Sequence, residues 1–170
     1  MNEIHSMAGH LIRRLNQISM AVFSERMSEI GVELTPVQYA ALSSIRDVPG
    51  IDQATLAGAI AYDKATIGGV VDRLTGKGLI LRSQSSRDRR ARALTITAEG
   101  EAVFQRVTPH VRALQNDILS GLDEDEKSIF LRLLRKTTEA GNARSRAPLR
   151  RHDAGEAAGK PDFSHTDPGG

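Results

Sequence analysis

From Ile4 to Ile30 apolar residues recur at helical spacing, through Met7, Leu11, Leu15, Ile18 and Val22, with Ala8, Ile12, Phe23 and Met27 filling the same stripe. Gly31 ends that helix. Thr35-Pro36-Val37-Gln38 joins an N-cap, a proline at the first helical position and a capping-box glutamine, which predicts a second helix to about Asp47, broken by Pro49-Gly50. Asp52 caps a short third helix through Leu56, Ala57 and Ile60, and after Ala61-Tyr62 a second cap, Asp63, starts a fourth that ends at Gly78. Two capped helices joined by a tight turn are helix-turn-helix material. In the fourth helix Ile67, Val70, Val71 and Leu74 form the apolar stripe, leaving Ala65, Thr66, Gly68, Gly69, Asp72, Arg73 and Gly76 outward.

The period then shortens. Leu79-Ile80-Leu81 and Ala93-Leu94-Thr95-Ile96 have the aliphatic and β-branched content of strands, and Ser83 to Ser86 is turn material, so a hairpin is expected. Thr97 caps a long helix from Ala98 to about Ser120, in which Pro109 predicts a kink, and Gly121 ends it. Asp123 and Glu126 form another capping box, ahead of a last amphipathic helix to about Ala140 built on Ile129, Phe130, Leu133 and Leu134. From Gly141 to Gly170 the pattern disappears, Leu149 and Phe163 are the only large apolar residues, and a disordered tail is expected.

Charge changes the picture through its distribution. The 170 residues carry a net charge of only +2, yet between Lys77 and Arg92 six cations (Lys77, Arg82, Arg87, Arg89, Arg90, Arg92) face one acid, Asp88. Guanidiniums crowded on one hairpin repel one another unless a polyanion sits beside them, and nucleic acid is the first candidate. Aromatic residues make up 4% of the chain and none falls between Tyr62 and Phe104, so the hairpin has no platform for stacking unpaired RNA bases; duplex DNA is favoured.

The sequence contains no cysteine, no apolar run of membrane-spanning length and no signal-peptide core, which together predict a soluble cytoplasmic protein. His5, His10, His110, His152 and His165 have no metal-ligand spacing, and neither a nucleophile elbow nor a phosphate-binding loop occurs. Catalysis, a metal and a cofactor are therefore not expected.

Val71-Asp72-Arg73-Leu74-x-x-Lys77-Gly78-Leu79-Ile80-x-Arg82, followed by Asp88-Arg89-Arg90 and Leu94-x-Ile96-Thr97-x-x-Gly100, resembles the MarR family of bacterial transcriptional regulators over about His10 to Lys136. The resemblance implies a mainly α fold with a small two-stranded β wing, a winged helix-turn-helix. It divides the chain into an N-terminal dimerisation helix (1–33), a DNA-binding lobe (34–97), C-terminal dimerisation helices (98–140) and the tail (141–170). Lys64, Ala65, Thr66, Gly68, Gly69 and Arg73 would meet the major groove. In the wing, Asp88 would hold Arg90 for the minor groove, with Arg87, Arg89 and Arg92 on phosphates or solvated. Where family members usually carry polar residues, Gly68 and Gly69 would let the helix backbone lie deep in the groove; packing against the third helix is the alternative reason for them.

On the first helix, His10, Arg14 and Gln17 are expected along one flank of the apolar stripe, with Arg13 pointing away. A cation and an imidazole beside an apolar wall suit an aromatic carboxylate, and equally suit a dimer rim. In the family, effectors bind near the first, second and fifth helices, where Gln38 and Tyr39 could reach. Gly9-His10-Leu11-Ile12-Arg13-Arg14 and Thr35-Pro36-Val37-Gln38-Tyr39 resemble the branch controlling catabolism of nicotinate and related aromatic acids. The resemblance therefore implies a homodimeric repressor, released from a pseudo-palindromic operator by a hydroxynicotinate-type acid; the alternatives are a ligand-independent or activating regulator of the same fold and, less favoured, an RNA- or protein-binding winged-helix module.

Overall fold

Capping decides where the helices begin. A computed structural model describes residues 3–84 and 92–150, and in it Thr35 accepts the Gln38 amide while the Gln38 side chain accepts from the Thr35 amide, opening α2 (Pro36–Asp47). Asp52 accepts from the amides of Ala54 and Thr55 at the start of α3 (Gln53–Ala59). Burial raises the Asp52 carboxyl, but hydrogen bonds from the Thr55 hydroxyl and the two amides outweigh it and hold the group below the usual carboxylate range. Thr97 caps α5 (Ala98–Ile118), and a reciprocal Asp123–Glu126 box opens α6 (Glu124–Gly141). Helix α5 runs unbroken through Pro109.

The first helix begins later than its apolar pattern suggests. Glu3–Ser6 is a 3-10 turn in which the Ser6 hydroxyl donates back to the Glu3 carbonyl, Met7 is extended, and α1 spans Ala8–Glu29. A serine bonding its own backbone offers the chain an alternative to the helical ladder.

The sheet has three strands rather than two. Strand β1 (Ile51–Asp52) pairs antiparallel with β3 (Arg92–Ile96), which also pairs with β2 (Ile80–Gln84), giving the order β1-β3-β2. Ile51 lies opposite Leu94, and both are buried. The wing is thereby fastened to the residue that caps α3. Leu42, Ile45, Leu56, Val71, Leu74, Ile80 and Leu94 form the heart of the core, between α2, α3, α4 (Ile67–Gly76) and the sheet.

Helix α1 packs along α5 through buried Phe23 and Met27, and Arg26 bonds Asp117. Towards its start the stripe is open: Leu11, Ile12 and Ile18 are uncovered while Leu15, Val22 and Ile30 are half-buried, and Ile129, Leu133 and Leu134 are uncovered on α6, which buries no residue.

The tail expected after Gly141 is structured over its first residues. Asn142–Arg144 forms a 3-10 turn, the Asn142 side chain holds both backbone groups of Leu149, and the Arg150 amide donates to the Gly58 carbonyl. Polar clamps of this kind leave no apolar periodicity in the sequence.

Candidate nucleic-acid interface

Helix α3 ends with the Tyr62 amide bonded to the Ala57 carbonyl at 2.8 Å and the Ala61 amide to the Gly58 carbonyl at 3.3 Å. This is a Schellman turn, with Ala61 at φ 51° where glycine is usual. The left-handed alanine costs roughly 1 kcal/mol, set against the two backbone hydrogen bonds that close the turn. The chain leaves the turn towards Asp63, whose Oδ1 accepts the Ala65 amide at 2.7 Å and whose carbonyl accepts the amides of Thr66 and Ile67.

Asp63 therefore caps a tight turn, and regular α4 begins at Ile67, later than the cap alone suggests. Lys64, Ala65 and Thr66 lie exposed on that turn, with the Thr66 hydroxyl bonded to the Asp63 carbonyl. Ile67, Val70, Val71 and Leu74 are buried as their spacing predicts. Gly69, Asp72 and Arg73 are exposed, and Gly68 is half-buried. A Cβ at Gly69 would meet no described atom within 4 Å, and one at Gly68 only the Gln53 amide nitrogen, at 3.4 Å. Tight packing against α3 does not require either glycine.

The basic hairpin divides on inspection. Arg82 pairs with Asp72 of α4, its side chain only 27% exposed, so it ties the wing to the recognition helix instead of adding a free cation. Among the described residues its buried Nε meets no acceptor. Lys77 bonds the carbonyl and carboxylate of Glu33 in the α1–α2 connection. Arg92 is exposed at the start of β3. Arg87, Asp88, Arg89 and Arg90 lie outside the described residues. The pairing partners Asp72 and Glu33 had no signal in the sequence, since each meets its cation through tertiary structure.

At the base of the wing the Thr97 hydroxyl donates to the Gly78 carbonyl at 2.7 Å and accepts the Gly100 amide at 2.9 Å. The Thr97 amide bonds the Leu79 carbonyl. Gly100 lies against that carbonyl so closely that a Cβ would sit 2.0 Å from its oxygen.

The five residues considered for a small acid are not joined within one chain. His10 contacts His5, and Gln17 accepts from Arg13, so Arg13 and Gln17 share a flank, as their four-residue spacing requires, instead of pointing apart. Arg14 is exposed. Gln38 is buried, 4% exposed, with its amide oxygen used in the capping box.

Tyr39 stacks on Phe104 at 5.3 Å and its hydroxyl meets that of Thr108 at 3.1 Å. The Arg46 guanidinium lies 5.2 Å from the same Phe104 ring. Tyr39 and Arg46 stand two turns apart on α2, about 10 Å along its axis, so Phe104 of α5 is inserted between them. Arg46 also bonds Glu101, whose carboxyl is held below its usual range by hydrogen bonds from Gln105 and then Arg46. Among the described residues no group of three or more His, Asp or Glu could hold a metal ion, and no helix is long and apolar enough to cross a membrane.

A helix-turn-helix followed by a wing is also what comparison with known proteins finds. Residues 34–91 match the MarR family model. Over 133 residues, 78% of this chain and 96% of the relative, the sequence is 32% identical to the transcriptional regulator HosA of Escherichia coli. It is 31% identical, over 81% of its length and 86% of the relative's, to the HTH-type transcriptional repressor NicR of Pseudomonas putida. The fold superposes with a TM-score of 0.73, at 30% identity, on BpsR of Bordetella bronchiseptica, a structure addressing regulation of its DNA binding by 6-hydroxynicotinic acid; 79% of this chain and 94% of BpsR are covered. The chain belongs to the MarR family of winged-helix, DNA-binding transcriptional regulators.

Proposed function

We propose that the chain is a repressor that binds a pseudo-palindromic operator as a homodimer and leaves it when a small aromatic carboxylate of the hydroxynicotinate type binds. The observation that carries the DNA half is the outward side of α4 and of the turn before it: Lys64, Ala65 and Thr66 on the turn and Gly69 and Arg73 on the helix are exposed, and Gly68 is half-buried beside them. That face is small, so the helix backbone approaches base edges closely, while Lys64 and Arg73 supply phosphate contacts. Arg90, oriented by Asp88, enters the minor groove and reads its width; Arg87 and Arg89 neutralise phosphates.

Dimerisation is supported by the uncovered apolar residues of α1 and α6, which the DNA-binding lobe leaves to a second copy. A two-fold dimer sets its recognition helices about one DNA turn apart, roughly 34 Å. Residues 1–33 and 98–140 form its frame, and residues 34–97 form the lobe that reads DNA.

The effector reading draws on the likeness to BpsR and NicR, and on exposed Arg14 and half-buried His10 standing beside an apolar stripe. Arg14 pairs with the carboxylate, His10 and Gln17 bond ring substituents, and Tyr39 walls the site; Gln38 acts through its cap on α2. A ligand that favours a spacing of the recognition helices unfit for successive grooves lowers DNA affinity by linkage.

Genome-wide binding with and without 6-hydroxynicotinic acid tests both halves, and is expected to give few sites, symmetric in sequence and depleted by the acid. Tighter binding to structured RNA than to duplex operator would end the DNA reading; occupancy indifferent to aromatic acids would end the effector reading. Arg90→Ala is expected to weaken binding to most sites alike, by about 1–3 kcal/mol, measured by titration of operator and mismatched duplexes.

A further inference from the structure

The segment that follows α6 returns to the DNA-binding lobe and touches it at the turn between α3 and α4. The Gly58 carbonyl, already accepting from Ala61 within the Schellman turn, also accepts the Arg150 amide at 2.8 Å. The stem of Arg150 lies over Gly58, close enough that a Cβ there would come within 3.2 Å of Arg150 Cβ and Cδ. Arg146 Nε meets Asp63 Oδ2 at 2.8 Å, the carboxylate whose other oxygen holds the Ala65 amide. Asn142 fastens the near end of the segment by gripping Leu149. Between these points the segment bridges a cleft of about 800 Å³ against the end of α6.

We propose that residues 142–150 form a strap that fixes the helix-turn-helix relative to α6, with Arg146 and Gly58 as positioning residues for operator binding. The inference rests on the operator reading above. Without the strap, the lobe is joined covalently to the dimer frame only through α1–α2 at one end and the wing–α5 junction at the other. The strap adds a third attachment at the turn that aims α4, and so limits the lobe's rotation. A dimer must place two recognition helices at a fixed spacing, and a lobe held in place loses less freedom on meeting DNA. Arg146 is 86% exposed on its side chain, so direct contact with a phosphate is the competing role, and the two roles leave different signatures.

The test compares the full chain with Arg146→Ala and Gly58→Ala. The second variant favours the helix intrinsically, alanine over glycine, while its Cβ pushes Arg150 away. In the free proteins, amide hydrogen exchange at Ala65 for the first variant and at Arg150 for both is expected to quicken, with the dimer unchanged and no fall in melting temperature. On the operator recovered by genome-wide binding, each variant is expected to bind about threefold to tenfold more weakly, the range of coupling through a positioning contact. Each is also expected to lose discrimination against an operator whose half-sites are moved apart by one base pair, and Arg146→Lys to restore part of it.

The salt dependence of binding stays unchanged for a positioning residue, whereas loss of a phosphate contact lowers its slope by about 1. A lowered slope for Arg146→Ala with no effect of Gly58→Ala would overturn the proposal, as would tighter operator binding by both variants. Quickened exchange in a chain whose wild type binds no duplex would remove the operator reading while supporting the strap's hold on the turn.

Discussion

Gly100→Ala is expected to destabilise the protein by about 3 kcal/mol or more, since no other described glycine stands so close to its neighbours. The new Cβ would lie 2.0 Å from the Leu79 carbonyl oxygen, 2.9 Å from its carbon and 2.8 Å from Ile96 Cγ1. Two of these atoms are backbone, so no rotamer change relieves the contact. Relief requires moving the first turn of α5 away from the start of β2 by roughly 1 Å, the shortfall from an ordinary van der Waals distance. That movement breaks the Thr97 amide bond to Leu79 and the Thr97 hydroxyl bond to Gly78, both at the wing base.

The opposing effect is the better helix propensity of alanine, worth about 1 kcal/mol, and it does not compensate. For a chain of this size the net loss lowers the melting temperature by roughly 6–12 °C. A fall of less than about 2 °C, measured by thermal unfolding of the full chain, would mean that the junction adapts. The partner experiment, Thr97→Ser, keeps both hydroxyl bonds and is expected to cost far less.

Local chemistry was legible in the chain; pairing across it was not. Thr35, Asp52, Thr97 and Asp123 all cap with their side chains, because a cap and its target lie within a few residues. The α4 stripe was legible for the same reason, since rotation per residue fixes which side chains turn inward. Strand β1 is not legible in the chain because two residues have no detectable period; Ile51 becomes a strand only through Leu94, brought beside it by the fold.

Arg82 looked like a free cation until α4 set Asp72 next to it. The segment after Gly141 looked structureless because its contacts with Gly58 and Asp63 are polar and join distant residues. Gly100 shows both sides. Its place in the motif was visible, while the reason for it, the Leu79 carbonyl, required coordinates.

Gly68→Ala and Gly69→Ala are expected to move stability and DNA affinity in opposite directions. In a helix interior each glycine costs about 0.5–1 kcal/mol relative to alanine. The four buried side chains of the α4 stripe, at roughly 1.5–3 kcal/mol each, carry that cost easily. Nothing among the described residues requires it, however: the Gly69 site is open, and at Gly68 the contact with Gln53 is of ordinary length. Both variants should therefore melt higher than the parent. If the bare face exists to let the backbone of α4 lie close to base edges, the added methyl groups push the helix out of the groove, and overpacking of this kind costs about 1–3 kcal/mol, roughly fivefold to a hundredfold in Kd. Packing would predict the reverse, lower stability with affinity following it down. Thermal unfolding and operator titration on the same two proteins separate the cases: higher melting temperatures with undiminished operator affinity would show that neither packing nor groove approach explains the glycines.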